Sequence, residues 1–275
     1  MRIALVQQRA GDDRAENLAR ALAALRRAAE AGAELAAFAE LAVDRFFPRC
    51  WRREGEDVQA RAEPIPGPTT DRIAALAGEL GLVVVFNLYE TDPAGRTFDS
   101  SPVFDADGRL LGVTRMVHIT DFPGFHERDY YHPGDRGVPV YDTRVGKVGV
   151  AICYDRHYPE VMRALGAGGA ELVVIPQAGV TGEWPEGMVE AEVRTAAFQN
   201  GYFAALCNRV GREGELEFSG ESFVSDPEGR ILVRGAAGEE DLVVADLDLS
   251  LAAASTARRL FWRDRRPEIY RSWPG

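Results

Sequence analysis

The chain has 275 residues, of which 46% are hydrophobic and 27% charged. This composition is typical of a globular protein and not of a disordered or coiled-coil chain. With 43 acidic residues against 32 Lys and Arg, the net charge is −11. That balance argues against nucleic acid as a partner, because binding a phosphate backbone needs clustered positive charge.

The start of the chain and its cysteines indicate a cytoplasmic protein. Residues 1–7 lead directly into a strand-like run, without the charged and apolar regions of an export signal. The sequence has no uncharged apolar run of about 18 residues, so we expect no membrane span. Cys50, Cys153 and Cys207 are odd in number and widely spaced, which fits a reducing compartment better than a disulfide framework.

Alternating strand and helix patterns predict one α/β domain over residues 1–275, in chain order as follows. The N-terminal half contains a strand over 2–7, a helix over 14–31, strands over 34–38 and 82–89 separated by a helix over 70–80, and strands over 98–105 and 109–118 joined by a hairpin at Asp107 and Gly108. The C-terminal half contains a strand over 147–153, a helix over 159–166, a strand over 171–176, a helix over about 187–199, and strands near 202–207, 217–225, 231–234 and 242–248. This mixture predicts a layered sandwich and disfavours a closed (β/α)₈ barrel.

Cys153 is the first candidate for chemistry. It ends a buried-looking strand and precedes the helix predicted to begin at Pro159. A thiol near a helix N-terminus is expected to have a lowered pKa and would suit a nucleophile. The alternative is a small apolar residue that completes the strand, since free cysteine is often buried.

Two glutamates favour the catalytic interpretation of Cys153. Glu40 follows an apolar strand, where a carboxylate is costly unless it is paired or functional. It also lies at the strand's C-terminal end, the edge at which open α/β sheets place their sites. Glu127 belongs to a predicted loop and, taken alone, would be an exposed charge.

Over essentially its whole length the sequence resembles the nitrilase, or carbon–nitrogen hydrolase, superfamily. The resemblance is carried, in chain order, by Phe38-Ala39-Glu40-Leu41, Arg115 to His118, Gly124 to Gly134, Gly149 to Asp155 followed by Pro159-Glu160, and Gly169-Ala170-Glu171-Leu172 leading to Pro176. Within the superfamily, the chain looks like N-carbamoyl amino acid amidohydrolases and related carbamoyl-amine hydrolases in Glu40-Leu41-Ala42, Phe46-Phe47-Pro48-Arg49, His118-Ile119-Thr120-Asp121 and Arg265-Arg266-Pro267.

The resemblance implies a four-layer αββα sandwich and a Glu–Lys–Cys triad that uses no metal or organic cofactor. It implies that Cys153 attacks an amide or carbamoyl carbon, that Glu40 moves protons as base and acid, and that water hydrolyses a thioester-like acyl-enzyme. Glu127 matches a second glutamate that orients the centre. The backbone N–H of Tyr154 would help to bind the oxyanion.

The triad is incomplete at Met116, which stands where the family has its lysine. Lys147, the only lysine, begins the strand that ends at Cys153, roughly 20 Å of strand away. Arg115 is adjacent, but neighbouring side chains on an extended segment point to opposite faces. Loss of one such donor typically lowers turnover by about 10²–10³, which predicts a slow enzyme or a binding protein.

Several residues are expected around the substrate or in the core. The resemblance to carbamoylase-like relatives implies that Arg156 binds a substrate carboxylate, and the alternative is an ion pair with Asp155 or Glu160. His118 would hydrogen-bond substrate or order the centre, and Gln177 would line the pocket. Cys50 and Cys207 are interpreted as packing residues. The four histidines lack the HExxH spacing of a zinc site, so we predict no metal.

Three functions follow from these features. The first is a hydrolase of a small linear amide or N-carbamoyl compound. The second is a catalytically impaired homologue that binds a related metabolite or partner. The third is a scaffold without ligand, based on the aromatic C-terminal tail. Because family members are similar in forming dimers, we expect a homo-oligomer that uses residues 255–275.

Overall fold

Two stacked mixed β-sheets form the centre of the structure, a computed structural model that describes residues 1–54 and 57–273. The strands are β1 (Arg2–Gln7), β2 (Leu35–Phe38), β3 (Val83–Val85), β4 (Leu88–Thr91), β5 (Thr97–Phe104), β6 (Leu110–Arg115), β7 (Val140–Thr143), β8 (Gly146–Val150), β9 (Leu172–Gln177), β10 (Phe203–Asn208), β11 (Val210–Glu213), β12 (Leu216–Ser219), β13 (Phe223–Ser225), β14 (Ile231–Arg234) and β15 (Asp241–Asp246). The helices are α1 (Arg14–Glu30), α2 (Pro68–Leu80), α3 (Pro159–Ala167), α4 (Met188–Asn200), α5 (Ser250–Ala254) and α6 (Pro267–Tyr270).

The strand order places the ends of β2 and β8 in different sheets. The first sheet runs β15-β1-β2-β3-β5-β4, with β6 paired to β5, and the second runs β14-β13-β10-β9-β8-β7. β2 is parallel to β1 and β3, and β8 is parallel to β9. Helices cover the outer faces, so the predicted αββα sandwich is confirmed.

Alternating side chains explain the layers. Ile3 and Leu5 of β1 lie in the apolar cluster between the two sheets, whereas Ala4 and Val6 lie in the cluster beneath α1 and α2. A third cluster joins α3 and α4 to β9 and β10. A strand buried on both faces reads as a continuous apolar run, as residues 3–6 do. Within the described chain, no helix is both long and apolar enough to cross a bilayer.

Several predicted strands are shorter or divided. The strand expected over 82–89 is split into β3 and β4 at Phe86 and Asn87, where the Asn87 side chain accepts a hydrogen bond from the Leu41 N–H at 2.6 Å. The strand expected over 217–225 is divided into β12 and β13, and the pattern missed the short strands β7 and β11. The predicted hairpin between β5 and β6 is present, with Gly108 at φ 82°.

Candidate active site

Cys153 lies just beyond β8, at the start of a short 3₁₀ turn, Cys153–His157. The predicted strand therefore ends three residues earlier, at Val150. The φ of Cys153 is 42°, in the left-handed region that residues with a β-carbon rarely adopt. Strain of this kind is concentrated at functional positions. The turn places the Tyr154 N–H among the first peptide groups of a helical segment, which lack intrahelical acceptors.

Glu40 lies beyond the end of β2 with its side chain fully buried. Its backbone is fixed by Arg209, whose Nη1 donates to the carbonyl oxygens of Glu40 and Leu41 at 2.8 Å each. Neither carboxylate oxygen of Glu40 has a hydrogen-bond partner among the residues that the structure describes. The Cys153 thiol nevertheless lies close enough to lower the pKa of this carboxyl. The ends of β2 and β8 thus bring the predicted base and nucleophile together.

Burial and a second carboxylate raise the pKa of Glu40 to about 7. Removal from water is the largest cause, and the charge of Glu127 adds to it. Interactions with Cys153 and Asp99, and the positive charge of Arg209, offset part of the shift. A carboxyl group with a pKa near neutrality can both accept and release a proton at physiological pH.

Glu127 is fully buried and is not the exposed loop charge that its sequence position alone suggests. It begins the 3₁₀ turn Glu127–Asp129, and its Oε2 accepts a hydrogen bond from the Thr120 N–H at 3.4 Å. Its Oε1 has no partner in the described part of the chain. Burial, followed by the charge of Asp99, raises the pKa of Glu127 well above its usual range.

Met116 is fully buried in the layer between the sheets and lies one residue beyond β6. The segment that follows it is bound by Asp155, which accepts hydrogen bonds from the N–H groups of Val117 and His118 at 3.0 Å each. His118 Nδ1 lies 2.7 Å from the same carboxylate, and its ring stacks on Tyr158. The turn at Cys153 and the segment carrying position 116 are therefore tied together. His118 is thus connected to the turn at Cys153 through Asp155.

The two cations considered as substitutes for the missing lysine are both engaged elsewhere. Arg115 binds Glu90 through two hydrogen bonds, of 2.5 and 2.9 Å, and contacts Asp135 at 2.8 Å. Lys147 pairs with Asp142 on the exposed end of the β7–β8 hairpin. The expectation that neither residue replaces the lysine is supported by these contacts.

The pKa of the Cys153 thiol is raised well above its ordinary value, which contradicts the lowering expected from the helix terminus. Burial is the largest cause, the charge of Glu40 adds to it, and only Arg156 acts in the opposite direction among the leading contributions. Withdrawal of the thiol from water thus determines the direction of the pKa shift.

Arg156 belongs to the turn Cys153–His157, and Gln177 belongs to β9, the strand that pairs with β8. Arg156 donates from Nη1 to the Cys153 carbonyl oxygen at 2.9 Å and lies 3.6 Å from Glu192, and neither Asp155 nor Glu160 is its ion-pair partner among the described contacts. Gln177 ends β9 and lines a cavity of about 510 Å³ together with Glu183, Trp184 and Asn208.

Two buried polar residues near the carboxylates were not found from the sequence. Asp99 of β5 accepts a hydrogen bond from Asn87 Nδ2 on its Oδ1 at 2.6 Å. The Tyr131 hydroxyl is buried without a partner in the described residues, and burial and the charges of Asp99 and Glu40 raise its pKa well above the usual value. Asp99 could have been identified, since a carboxylate inside a strand raises the same question as Glu40 does after one.

The two remaining cysteines differ in their exposure to solvent. Cys207 is buried, with its Sγ directed at the carbonyl oxygens of Val6 and Ala37, as expected of a packing residue. Cys50 is exposed, so its interpretation as a packing residue was wrong. Over residues 1–54 and 57–273, no group of three or more His, Cys, Asp or Glu side chains is arranged to hold a metal ion.

Comparison with known proteins gives consistent matches across the chain. The family model described as carbon-nitrogen hydrolase matches residues 2–257. An N-carbamoylputrescine amidase from Solanum lycopersicum is 33% identical over 98% of this chain and 93% of its own length. A citrullinase from Francisella tularensis is 30% identical over 98% of this chain and 96% of its own length.

Solved structures agree with these matches. The carbon-nitrogen hydrolase from Helicobacter pylori G27 superposes with a TM-score of 0.90 at 29% identity, over 99% of this chain and 97% of that one. A variant of the amidase from Nesterenkonia sp. AN1, with the acetamide moiety of fluoroacetamide attached to its active-site cysteine, superposes with a TM-score of 0.82 at 29% identity, over 100% of this chain and 97% of that one.

Proposed function

The chain belongs to the carbon–nitrogen hydrolase family, and we propose that it hydrolyses the C–N bond of a small linear amide or N-carbamoyl compound with Cys153 as nucleophile. One observation carries the proposal. A strained cysteine and a fully buried glutamate, whose pKa is about 7, meet at the ends of strands from two different sheets. Neither the strain nor the buried charge is needed for packing.

In the first half of the reaction, Glu40 accepts the proton of the Cys153 thiol while the sulfur bonds to the carbonyl carbon. The raised pKa of the thiol means that the proton leaves during attack, because a free thiolate is scarce. The Tyr154 N–H donates to the oxygen that becomes negative. Glu40 then gives its proton to the departing nitrogen, the C–N bond breaks, and a thioester or thiocarbamate remains.

In the second half, water attacks the acyl-enzyme. Glu40 accepts a proton from this water, the C–S bond breaks, and the proton returns to the sulfur. Glu127, buried nearby, keeps the pKa of Glu40 high and orients the centre. Each cycle therefore leaves Glu40 and Cys153 in their starting protonation states.

The names of the relatives and the Arg156 side chain support the proposed substrate class. Relatives named N-carbamoylputrescine amidase and citrullinase indicate a linear carbamoyl compound. Arg156 is 4% exposed and has Nη2 without a hydrogen-bond partner in the described residues, so this nitrogen is available to a substrate carboxylate. Gln177 and His118 are the further residues that we assign to substrate binding.

The second candidate is a catalytically impaired homologue that binds a related metabolite or partner. It is favoured by Met116, which supplies no cation beside the nucleophile, and by the raised pKa of Cys153. Both features reduce the thiolate fraction at neutral pH.

We also infer a homo-oligomer that uses the C-terminal segment. Leu260, Phe261, Ile269 and Trp273 are large apolar side chains exposed on this segment. Light scattering on the purified chain, with and without Trp273→Ala, tests whether they form the contact.

Ammonia release decides between the two functions. The purified protein is incubated with N-carbamoyl amino acids, carbamoyl amines and simple amides, with Cys153→Ala as the blank. Cys50→Ala is the matched control because this thiol is exposed. We expect turnover that is lost in Cys153→Ala and retained in Cys50→Ala. A folded protein that is silent across the panel, yet binds a carbamoyl compound in calorimetry, would support the second candidate.

A further inference from the structure

Asp99 is the cross-strand neighbour of Met116. The register of β5 and β6 pairs Ser100 with Arg115, and the Met116 N–H donates to the Asp99 carbonyl oxygen at 2.9 Å. Opposite residues of this kind have β-carbons about 4.5–5.5 Å apart. The carboxyl group of Asp99 therefore belongs to the space beside position 116.

The surroundings of Asp99 leave one of its oxygens free to carry a proton. Its side chain is fully buried, and the Asn87 amide donates to Oδ1 only. Oδ2 accepts no hydrogen bond from residues 1–54 or 57–273. Asn87 links the two acidic segments, since its Oδ1 accepts from the N–H of Leu41, next to Glu40, at 2.6 Å while its Nδ2 donates to Asp99. The charge of Glu40 also raises the pKa of Asp99. Two carboxylates that share a buried site cannot both be ionised, so one of them holds a proton.

The groups that face Asp99 are mostly acidic. Glu40 follows β2, Asp155 belongs to the turn after β8, and Glu127 and Tyr131 come from the loop after β6. Arg209 acts on Glu40 through its charge and is itself paired with Glu213. Met116 contributes no charge. Protonation of one carboxyl group therefore relieves the repulsion between them.

We propose that Asp99 is held in its protonated form and donates a hydrogen bond from Oδ2 to the Glu40 carboxylate, so that this proton supplies what an ammonium group at position 116 would. The inference rests on the proposed function, because Glu40 must act there as the base. Asp99 is a positioning residue, since it acts through Glu40 and not on the substrate. Carboxylic acids kept neutral by burial act as hydrogen-bond donors in other enzymes.

The proton of Asp99 is conserved through the cycle. The thiol proton passes to Glu40 and then to the leaving nitrogen, and a proton from water passes to Glu40 and then to sulfur. Asp99 donates its hydrogen bond when Glu40 is ionised and keeps its own proton throughout. If Asp99 were ionised, the second negative charge would keep Glu40 protonated at neutral pH and unable to accept the thiol proton.

Carboxyl ¹³C NMR of protein labelled at aspartate tests the protonation directly and without turnover. The Asp99 resonance is assigned by its absence in Asp99→Asn. Asp246 is the internal reference, because its hydrogen bond with Arg2 lowers the pKa of that carboxyl. We expect the Asp99 signal at the position of a protonated acid at pH 7, and the Asp246 signal at that of a carboxylate. An Asp99 signal at the carboxylate position at pH 7 would overturn the proposal.

Two variants at position 99 separate proton donation from packing. Asn is a neutral donor of the same shape, so Asp99→Asn should keep kcat within about threefold and lose the decline of kcat/KM at high pH that ionisation of Asp99 causes. Asp99→Ala lacks the donor and should lower kcat by about 10²-fold with little change in KM. Equal loss in both folded variants, or an unchanged pH profile in Asp99→Asn, would contradict the proposal. If wild type lacks turnover, the proposed function fails while the NMR result still decides the state of Asp99.

Discussion

Strands β5 and β6 carry charged side chains in two contrasting ways at successive positions. At the pair of Ser100 and Arg115, the arginine makes a two-pronged ion pair with Glu90, and both partners are 3% exposed. One residue further along, Asp99 lies opposite Met116, and the charges of Glu40 and Asp155 both raise the pKa of its carboxyl group.

The comparison separates buried charges that stabilise the fold from buried carboxyl groups that can take part in proton transfer. In the first pair each charge satisfies the other, and stacking of Arg115 on Phe98 at 3.7 Å completes the arrangement. In the second region burial is not compensated, so the pKa values of Glu40, Asp99 and Glu127 are raised. Groups perturbed in this way can exchange protons near neutral pH, as an active site requires.

Among the buried carboxyl groups Glu40, Asp99 and Glu127, replacement of Glu40 by Gln should lower kcat the most. Gln has the same shape but cannot accept the thiol proton, so we expect kcat to fall by about 10³-fold or more. Initial rates of ammonia release measure this, with Gln59→Glu, at an exposed position, as a charge-changing control. Retention of more than about a tenth of the wild-type rate would show that another group is the base.

Replacement of Glu90 by Gln should instead destabilise the fold, because it breaks the buried ion pair with Arg115. Removing one partner leaves Arg115 buried and partly uncompensated, so we expect the free energy of unfolding to fall by about 3–5 kcal/mol. Glu240→Gln is the matched control, because Glu240 pairs with Arg20 on the surface, where the loss should be at most about 1 kcal/mol. Urea unfolding gives both values. Similar small losses in the two variants would remove the distinction drawn between paired and unpaired charge.

The raised pKa of the buried Glu40 carboxyl should also make the free energy of unfolding depend on pH. The pKa of Glu40 rises from 4.5 to about 7 on folding, so the folded state binds more protons between these pH values. The free energy of unfolding should therefore fall as pH rises through this window, by at most about 3 kcal/mol from Glu40 alone. Glu40→Gln should flatten that slope. Stability that rises over the same window in wild type, and equally in Glu40→Gln, would be inconsistent with a raised pKa.

A cation at position 116 should have a smaller effect on the nucleophile. In Met116→Lys the ammonium group would lower the pKa of Cys153, and alkylation by iodoacetamide at pH 7 should become about tenfold faster. Met188→Lys, an exposed methionine on α4, is the control and should leave the rate unchanged. An unchanged rate in Met116→Lys would mean that position 116 does not act on the thiol.

Apolar periodicity and strand ends are local features, and they predicted a layered α/β sandwich with Glu40 and Cys153 as candidates. The four-layer arrangement and the missing lysine at Met116 were implied by the resemblance to the nitrilase superfamily. The sequence did not predict the environment of these site residues. Local pattern alone could not distinguish Glu127 from an exposed loop charge, since the burial of a loop residue depends on contacts made by the whole fold. The direction of the Cys153 pKa shift was wrong because burial is a property of the whole fold.

The most direct measurement is intact-protein mass spectrometry of the enzyme quenched in acid during turnover of its best amide or carbamoyl substrate. We predict an acyl adduct on Cys153, found by peptide mapping, that is absent in Cys153→Ala and still forms in Cys50→Ala. Turnover without any adduct on Cys153, or an adduct confined to Cys50 or Cys207, would contradict covalent catalysis by Cys153.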